Sequence, residues 1–440
     1  MGRRRRKEPE TAMISGVTHD GRGIADVPGK KVFVAGALDG EEVEFIRRKS
    51  RRNYDEAELL DVIKPSVNRI EARCEAFGRC GGCVMQHISE EEQRGIKFQT
   101  LRDNLERIGK VEPEHWLEPI VAPAWHYRRR ARLAVKDVPA KGRVLVGFRE
   151  RHAPFITDMH RCEVLAKPVD ALIDPLSELI ASLSIRARIP QIEVAVAQNA
   201  TALVFRVLDP PSSDDKARLQ QFGDSQDLRL YLQTGGLDSV EPLNADESLE
   251  SLYYTLPESE IRIDFDPVGF VQVNDAINVQ MVASAIDYLE LESDDRVLDL
   301  YCGIGNFSLP IARHCGEVLG VEGDAMLVSA AERNAELNAL QNTSFRTADL
   351  SKIDGSEGWM SEDWDRLLLD PARSGAAEVV EHMQIIDPRR IVYVSCHPGT
   401  LARDAGTLVN EKGYTLESAG IIDMFPHTAH VESIAIFSRK

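Results

Sequence analysis

Three features that mark membrane and secreted proteins are missing from the sequence. No apolar run approaches the roughly 20 residues with which a helix spans a bilayer. The basic start MGRRRRKEPE is not followed by the apolar stretch of a secretory signal peptide, so we expect none. The seven cysteines are an odd number concentrated in one motif, which fits a reducing cytosol better than a disulfide framework. We therefore expect a cytoplasmic protein with no membrane contact and no obligatory protein partner.

The sequence also lacks an excess of positive charge. Its net charge of −18 argues by itself against a nucleic-acid-binding protein, but the charge is unevenly distributed. Residues 1–73 hold 16 Lys/Arg and 13 Asp/Glu, and basic clusters lie at 3–7, 47–52 and 128–132. Such clusters can contact phosphates even on an acidic protein, or they can be ordinary solvated surface.

Neither an internal repeat nor a long low-complexity tract is present, and 440 residues with 43% hydrophobic content predict a globular protein of roughly three domains. Between residues 12 and 64, short apolar runs alternate with Gly-rich turns. This pattern predicts an OB-type barrel of about five strands that ends at Pro65. A helix is predicted near 89–109, where apolar residues recur at helical spacing: Ile96, Leu101, Leu105 and Ile108.

Residues 125–260 have the pattern of a mixed β region with one helix, at about 165–184. Strands are predicted at 132–136, 144–148, 191–197, 202–207 and 229–233. The polar segment 210–227 is typical of an exposed excursion between strands.

Four cysteines form a two-part pattern, with Cys74, Cys80 and Cys83 on a Gly-rich turn and Cys162 far along the chain. The two glycines at 81–82 allow the tight turn by which neighbouring thiols face one centre. Four thiolates around a tetrahedral centre indicate a zinc ion or an iron–sulfur cluster. The pattern differs from the paired CxxC…CxxC of a zinc ribbon, and the unequal split favours a cluster.

From about residue 266, predicted strands and helices alternate. The predicted elements are a strand at 296–300, a helix through 309–314, a strand at 318–322, a helix at 325–340, and strands at 367–370 and 391–396. This order is typical of a doubly wound sheet that holds a nucleoside at the carboxyl ends of its strands.

The loop after the first of these strands reads YCGIGNF at 301–307. Gly303 and Gly305 let the backbone approach a ligand, and Glu322 at the end of the next strand can accept hydrogen bonds from ribose hydroxyls. The third glycine of the dinucleotide pattern GxGxxG is missing, which favours S-adenosylmethionine (SAM) over a dinucleotide.

Two further residues are candidates for chemistry. Cys396 ends an apolar strand at the sheet edge where ligands bind, so its thiol can be a nucleophile or a small buried hydrophobe. Glu432 precedes a last predicted strand at 434–437, and its assignment depends on what surrounds it.

Together these residues resemble the RNA uracil-C5 methyltransferases, and within them the bacterial 23S ribosomal RNA branch. The similarity covers nearly the whole chain, including an N-terminal TRAM domain. It is carried by the cysteine turn with its distal cysteine, FVQVN at 270–274, DLYCGIGNF at 299–307, DPAR at 370–373, SCHP at 395–398 and DMFPHTAHVE at 423–432. His397 departs from the Asn that the family commonly has, and it leaves the neighbouring thiol in place.

The resemblance implies a multidomain α/β and β fold. Its parts are an OB-like TRAM barrel with a basic tail that binds RNA (1–66), a central mixed α+β domain with an iron–sulfur site (67–264), and a Rossmann-like methyltransferase domain (265–440). Four residues are implied ligands of a [4Fe-4S] cluster: Cys74, Cys80, Cys83 and Cys162. Six are implied SAM contacts: Gln272, Tyr301, Asn306, Glu322, Asp349 and Asp370.

The implied reaction converts a specific uridine of 23S rRNA to 5-methyluridine. Because C5 of uracil is a weak nucleophile, Cys396 would add to C6 and make C5 electron-rich. Glu432 would then remove the C5 proton so that the thiolate is expelled. A free thiol has a pKa of about 8.5, so we expect a site that favours the thiolate of Cys396. The target base must leave its stack, which favours a flipped or single-stranded uridine.

Other functions can be distinguished by the residues and motifs that each one requires. The nearest is a transfer-RNA uracil methyltransferase or the enzyme for another 23S uridine. A non-catalytic rRNA assembly factor would not need Cys396, Glu432 and the SAM contacts together. A second rival is an iron–sulfur redox or radical-SAM enzyme. Radical-SAM sites need a compact CxxxCxxC triad with an open iron position, whereas four cysteines here would close the cluster.

Overall fold

The N-terminal region forms a closed five-stranded barrel. Its strands are β1 (Glu10–Val17), β2 (Arg22–Val27), β3 (Lys30–Ala35), β4 (Glu42–Ser50) and β5 (Tyr54–Lys64). They lie in the order β1-β2-β3-β5-β4, with alternate side chains such as Val32, Val34 and Phe45 filling the interior. The predicted five-stranded barrel is confirmed. The computed structural model describes residues 8–244 and 250–439, so the basic cluster predicted at 3–7 lies outside the described residues.

A six-stranded sheet follows. Its strands are β7 (Arg130–Val138), β8 (Arg143–Gly147), β9 (Gln191–Val196), β10 (Thr201–Arg206), β11 (Leu228–Gln233) and β12 (Val240–Pro242), in the order β12-β11-β10-β9-β7-β8. The five strands predicted in this region are confirmed.

Two helices, not one, accompany this sheet: α2 (Ile173–Ser182) and α3 (Ser213–Gln226). The segment predicted as an exposed excursion at 210–227 is largely exposed, as expected, but it contains a helix that was not predicted. The Ser212 side chain accepts a hydrogen bond from the backbone N–H of Asp215, and the Asp215 carboxylate bonds back to the Ser212 N–H. This capping box starts the helix, and its Ser-x-x-Asp signal is present in the sequence.

Eight strands form the C-terminal sheet: β6 (His115–Trp116), β15 (Arg296–Leu300), β16 (Glu317–Glu322), β17 (Thr343–Thr347), β18 (Arg366–Leu369), β19 (Arg390–Ser395), β20 (Thr415–Ile422) and β21 (Glu432–Ser438). Their order is β17-β16-β15-β18-β19-β21-β20-β6. β15 to β19 are parallel, whereas β21 is antiparallel to both its neighbours. A separate hairpin pairs β13 (Leu252–Leu256) with β14 (Ile261–Phe265).

Helices cover both faces of this sheet. One face packs against α4 (Asp275–Leu289), α5 (Ser308–Ile311) and α6 (Ala325–Leu337). The other packs against α1 (Glu90–Asn104), α7 (Ala377–Glu381), α8 (Met383–Ile386) and α9 (Pro398–Asn410). The predicted doubly wound arrangement is confirmed. The strand order reverses beside β15, which opens a crevice at the carboxyl ends of β15 and β18.

The helix predicted near 89–109 is present, with a π-helical last turn at Leu105–Gly109. Its predicted apolar face is only partly right, since Ile108 is 53% exposed. The fully buried positions are Gln93, Lys97 and Leu101, spaced four residues apart. Two polar side chains thus lie on the face that packs against the C-terminal sheet.

Within residues 8–244 and 250–439, no helix has both the length and the apolar character to cross a membrane.

Candidate active site

The loop between β15 and α5 lies at the crevice and is fixed against the neighbouring strand. The backbone N–H groups of Tyr301 and Cys302 both donate to the Val321 carbonyl, at 2.8 and 3.2 Å. Gly305 has a φ of +92°, and a Cβ at this position would lie 2.8 Å from Leu309. Only glycine fits here without displacing a neighbour, so the sequence pattern has a steric cause.

Glu322 ends β16 beside this loop. Its carboxylate accepts hydrogen bonds from the backbone N–H of Gly303 at 3.2 Å and of Gly323 at 2.7 Å. The Asp324 N–H also donates to the oxygen that accepts from Gly323, at 3.1 Å. The other oxygen, Oε2, accepts only from Gly303 and has a further lone pair, so Glu322 can also accept from a ribose hydroxyl.

Asp349 lies at the outer side of the same edge, two residues after β17. The preceding N–H, of Ala348, donates to the Glu322 carbonyl at 2.9 Å. The Asp349 side chain is exposed and pairs with Lys352 at 2.6 Å, and this hydrogen bond is the largest cause lowering the pKa of Asp349 to about 2. Asp349 is thus a charged carboxylate near Glu322.

Two carboxyl groups lie at the centre of the crevice, Asp299 fully buried and Asp370 half-buried. Asp370 follows β18, and burial raises its pKa to about 7. Asp299 lies in β15, where burial raises its pKa to about 7 although Ser308 donates a hydrogen bond to it. The Oδ1 atom of Asp299 has no hydrogen-bond partner within residues 8–244 and 250–439. Buried carboxyls without a compensating cation favour a positively charged ligand, and the sulfonium and ammonium groups of SAM fit this requirement.

Two of the three other predicted SAM contacts, Tyr301 and Asn306, belong to the Gly loop. Tyr301 is half-buried with a φ of +67°. Asn306 is engaged within the protein, because its Oδ1 accepts from the Tyr254 hydroxyl at 2.8 Å and its amide exchanges two 3.0 Å hydrogen bonds with Asn278. Asn306 therefore holds the Gly loop against α4.

Gln272 lies before α4 with its side chain partly exposed. Its backbone carbonyl accepts a hydrogen bond from Arg129 Nε at 2.7 Å. Arg129 is itself buried and pairs with Asp275, so this arginine of the predicted basic cluster holds the segment in place and does not face solvent.

Cys396 and Glu432 are brought together by strand direction. Cys396 follows the last residue of β19, and Glu432 begins the antiparallel strand β21. The register pairs Ser395 with Ser433, so the next residues along the two strands, Cys396 and Glu432, lie at adjacent positions. Asp370 ends the strand on the other side of β19. A thiol and two carboxyl groups thus meet at one edge of the sheet.

The electrostatics of Cys396 differ from the expectation. Burial, followed by the nearby Glu432 and Asp370, raises the pKa of the thiol to about 11. The prediction of a site that favours the thiolate is therefore wrong for the protein alone, because two acidic neighbours oppose a third negative charge. Burial also raises the pKa of Glu432 to about 8, with a further rise from Asp370. A carboxylate with this pKa is a stronger base than an ordinary glutamate.

The loop 423–431, which leads into Glu432, is held from three directions. The backbone N–H groups of Val84 and Met85 donate to the His427 carbonyl at 2.9 and 3.0 Å. Gln93 on α1 accepts from the His427 N–H at 2.8 Å, and the Tyr127 hydroxyl donates to a carbonyl of the same loop at 3.2 Å. The cysteine turn is directly involved, since Val84 follows Cys83.

The four predicted cluster ligands gather on the central sheet. Cys80 and Cys162 are buried, Cys74 and Cys83 are half-buried, and all are free thiols. Burial raises the pKa of Cys83 to about 11 and of Cys162 to about 12, and nearby thiols contribute to both shifts. Among residues 8–244 and 250–439, no three His, Cys, Asp or Glu side chains form a group fit for a single metal ion.

Sequence reasoning missed two residues of this site. Asp299 is the first residue of the motif at 299–307. A carboxylate inside an otherwise apolar strand is the sequence signal that could have identified it as a site residue. Lys97 is buried on α1. The polar residues on this buried face are four apart, but the neighbouring apolar residues at helical spacing gave the stronger sequence signal.

The chain matches a family model described as tRNA (Uracil-5-)-methyltransferase over residues 97–440 and a TRAM domain model over residues 4–60. The 23S rRNA (uracil(1939)-C(5))-methyltransferase RlmD of Methylococcus capsulatus is 49% identical over 432 residues, covering 98% of this chain and 97% of that protein. The protein of the same name from Alkalilimnicola ehrlichii is 48% identical and covers 100% of this chain and 99% of its own length.

Among solved structures, a similar fold is found in Pyrococcus abyssi tRNA (uracil-54, C5)-methyltransferase in complex with S-adenosyl-L-homocysteine. The TM-score is 0.76 at 23% identity, covering 97% of this chain and 100% of that chain. At this identity the likeness concerns the fold.

Proposed function

The chain belongs to the tRNA (Uracil-5-)-methyltransferase family, and we propose that it is a SAM-dependent enzyme that methylates C5 of one uridine in 23S rRNA. The observation that carries the proposal is the adjacency of Cys396 and Glu432 beside Asp370 at the carboxyl edge of the sheet. The choice of 23S rRNA is supported by relatives of that name that match the whole chain at 48% and 49% identity.

Catalysis begins with the thiol. Cys396 Sγ adds to C6 of the uracil ring, and the electrons of the C5–C6 double bond shift so that C5 becomes nucleophilic. SAM, when bound, supplies the electrophilic methyl group that C5 takes. Because the raised pKa keeps Cys396 protonated in the protein alone, its thiol proton must be released to solvent when substrates enter the site, before Sγ adds to C6.

Glu432 completes the reaction. Its carboxylate removes the proton from C5, the C5–C6 double bond re-forms, and the C6–S bond breaks to return the thiolate of Cys396. Glu432 must be charged to accept this proton. Since its pKa is raised to about 8, the charged fraction increases as the pH rises through that value.

We propose further that SAM is held by the residues around the crevice: Gln272, Tyr301, Asn306, Glu322, Asp349 and Asp370. Glu322 and Asp349 supply acceptors on the β16 and β17 side, and Asp370 supplies a half-buried carboxyl group on the β18 side. Asn306 acts by holding the loop.

We propose that Cys74, Cys80, Cys83 and Cys162 ligate a structural [4Fe-4S] cluster in a central domain, 67–264. One zinc ion, with Zn–S distances of about 2.3 Å, would hold its sulfur atoms about 3.8 Å apart. A four-iron cluster spaces them more widely because iron atoms lie between them. The barrel (1–66) would then bind RNA and the last part (265–440) would carry the reaction, in the cytoplasm where ribosomal RNA is found.

The direct test is to incubate the protein, purified without oxygen, with SAM and either unmodified 23S rRNA or unmodified tRNA. We expect 5-methyluridine at one 23S position, mapped by mass spectrometry, and none in tRNA. Methylation of tRNA alone would assign the chain to the transfer-RNA branch, and no 5-methyluridine in either RNA would contradict the proposed function.

A further inference from the structure

Lys97 is a fully buried lysine that joins α1 to the loop 423–431. Its side chain is 1% exposed, and its Nζ lies 2.6 Å from Asp423 Oδ1. The same Nζ donates a hydrogen bond to the Phe425 carbonyl at 2.8 Å. Lysine is almost never buried unless it is paired, and both partners here belong to the loop that leads into Glu432.

Glu432 is surrounded by groups from several elements. The titratable and charged groups around it are Asp370 after β18, Cys396 after β19, Lys97 on α1, Asp423 and His430 in the adjoining loop, and Arg373 bonded to His430. Burial and Asp370 oppose ionisation of Glu432, and Lys97 favours it. Lys97 therefore supplies the positive charge acting on the proposed base.

A buried ion pair needs a reason beyond stability. Apolar side chains of similar volume are often as stabilising as a buried pair, or more so. The lysine here has a specific geometry, with one contact to a side chain and one to the backbone of the same short loop. Fixing this loop also fixes the start of β21.

We propose that Lys97 is a positioning residue for the base: it holds the loop 423–431 against α1 and places a buried ammonium group where it favours the charged carboxylate of Glu432. The inference rests on the proposed function of Glu432. It assigns α1, which lies outside the Gly loop and the strand ends, a role in proton removal.

The test compares opposite single changes within the ion pair. Lys97→Met removes the positive charge and should move the acid limb of the pH profile of kcat upward by about one pH unit, since an opposite charge at close range shifts a pKa by about that much or more. At pH values well below the limb, this is about a tenfold loss. Asp423→Asn keeps the lysine and removes its counter-charge, so the limb should stay or move downward.

Two further variants separate these effects from folding. Lys97→Met/Asp423→Asn removes the buried carboxylate that Lys97→Met leaves unpaired, and it should keep the upward shift. Lys412→Met is a matched control, because Lys412 is also buried and donates to the Glu381 carbonyl at 2.6 Å. We expect it to leave the limb in place.

The pH profiles distinguish a positioning role of Lys97 from a purely structural one. Equal losses at every pH in the Lys97 and Asp423 variants, with no change in the limb, would overturn the proposal and leave a purely structural ion pair. A limb that shifts as far in Lys412→Met would overturn it as well. If the unaltered protein forms no 5-methyluridine, the proposed function fails instead, which is a distinguishable result.

Discussion

The cysteine turn and the sheet edge at Cys396 both hold thiols with raised pKa values, but the groups around the thiols differ. Burial raises the pKa of Cys83 in the cysteine turn and of Cys396 at the sheet edge to about 11. Around Cys83 the acidic neighbours are other thiols, whereas around Cys396 they are the carboxyls of Glu432 and Asp370. In both places the protein supplies too little positive charge to hold a thiolate.

The difference lies in what can supply that charge. In the proposed cluster site, bound iron would deprotonate the four thiols together, stay in place and tie distant segments of the chain. One thiol beside two carboxyls stays largely protonated near neutral pH until a transient cation or a substrate enters. The first arrangement suits a structural site and the second a site of turnover.

The largest expected effect is at the lone thiol. Cys396→Ala should lower methylation by more than about 1,000-fold, because no other group can add to C6. SAM binding, measured by calorimetry, should be unchanged because the thiol acts on the base. Cys315→Ala is the matched control, since Cys315 is another free thiol but lies before the amino end of β16, away from the crevice, and it should retain normal activity. Residual activity near normal in Cys396→Ala would assign the nucleophile to another residue.

Substitution in the cysteine turn should mainly lower the thermal stability of the protein. Cys80→Ala should reduce bound iron from roughly four atoms per chain and lower the melting temperature on the order of 10 °C, because the site ties the turn to Cys162. Activity should also fall, since Val84 and Met85 hold the loop 423–431. Iron analysis and thermal unfolding of anaerobic protein measure both. Zinc in place of iron in the unaltered protein would contradict the cluster.

The raised pKa of Cys396 can be tested by the rate at which its thiol is alkylated. Alkylation of the protein by iodoacetamide at Cys396 should quicken about tenfold per pH unit up to a pH near 11, since only the thiolate reacts. SAM should quicken it further at fixed pH, because the sulfonium offsets the adjacent carboxyls. S-adenosylhomocysteine, which lacks that charge, should do so less. Equal effects of the two ligands would remove the electrostatic explanation.

The smallest effect concerns the basic segment 47–52. Arg47, Arg48 and Arg51 pair with acidic side chains of the barrel, whereas no ion pair is formed by Lys49 or Arg52 among residues 8–244 and 250–439. Lys49→Ala/Arg52→Ala should lower the salt dependence of RNA binding by about 1.4 to 1.8 in slope, as expected for two phosphate contacts.

The matched double variant, Arg48→Ala/Arg51→Ala, should change that slope less, because its charges are already paired. Filter binding across a salt series measures both. An unchanged slope in the first variant would return the segment to ordinary solvated surface.

Much of this fold was predictable because its signals are local. Short alternating runs gave the barrel, and strand–loop–helix order gave the doubly wound sheet. The helix α3 was missed because Pro-Pro and a polar composition outweighed a short capping signal at Ser212 and Asp215. Composition alone indicated a loop there, whereas the capping signal marks the start of a helix.

The charged neighbours of the site residues could not be predicted from local sequence patterns. That Cys396 lies at a strand end is visible in the sequence, but Glu432 and Asp370 become its neighbours only through the strand order β18-β19-β21. Lys97 meets Asp423 across 326 positions of sequence. Such long-range pairs set pKa values, and no local pattern encodes them.

The separate roles of Cys396 as nucleophile and Glu432 as base can be tested on one denaturing gel. Glu432→Gln, incubated with SAM and 23S rRNA, should still form the methylated C6 adduct but cannot remove the C5 proton, so the protein should accumulate joined to its RNA as a slow band under denaturing conditions. The band should be absent from the Cys396→Ala/Glu432→Gln double variant. Turnover of Glu432→Gln at the normal rate with no such band would contradict the account and make His430 the next residue to test.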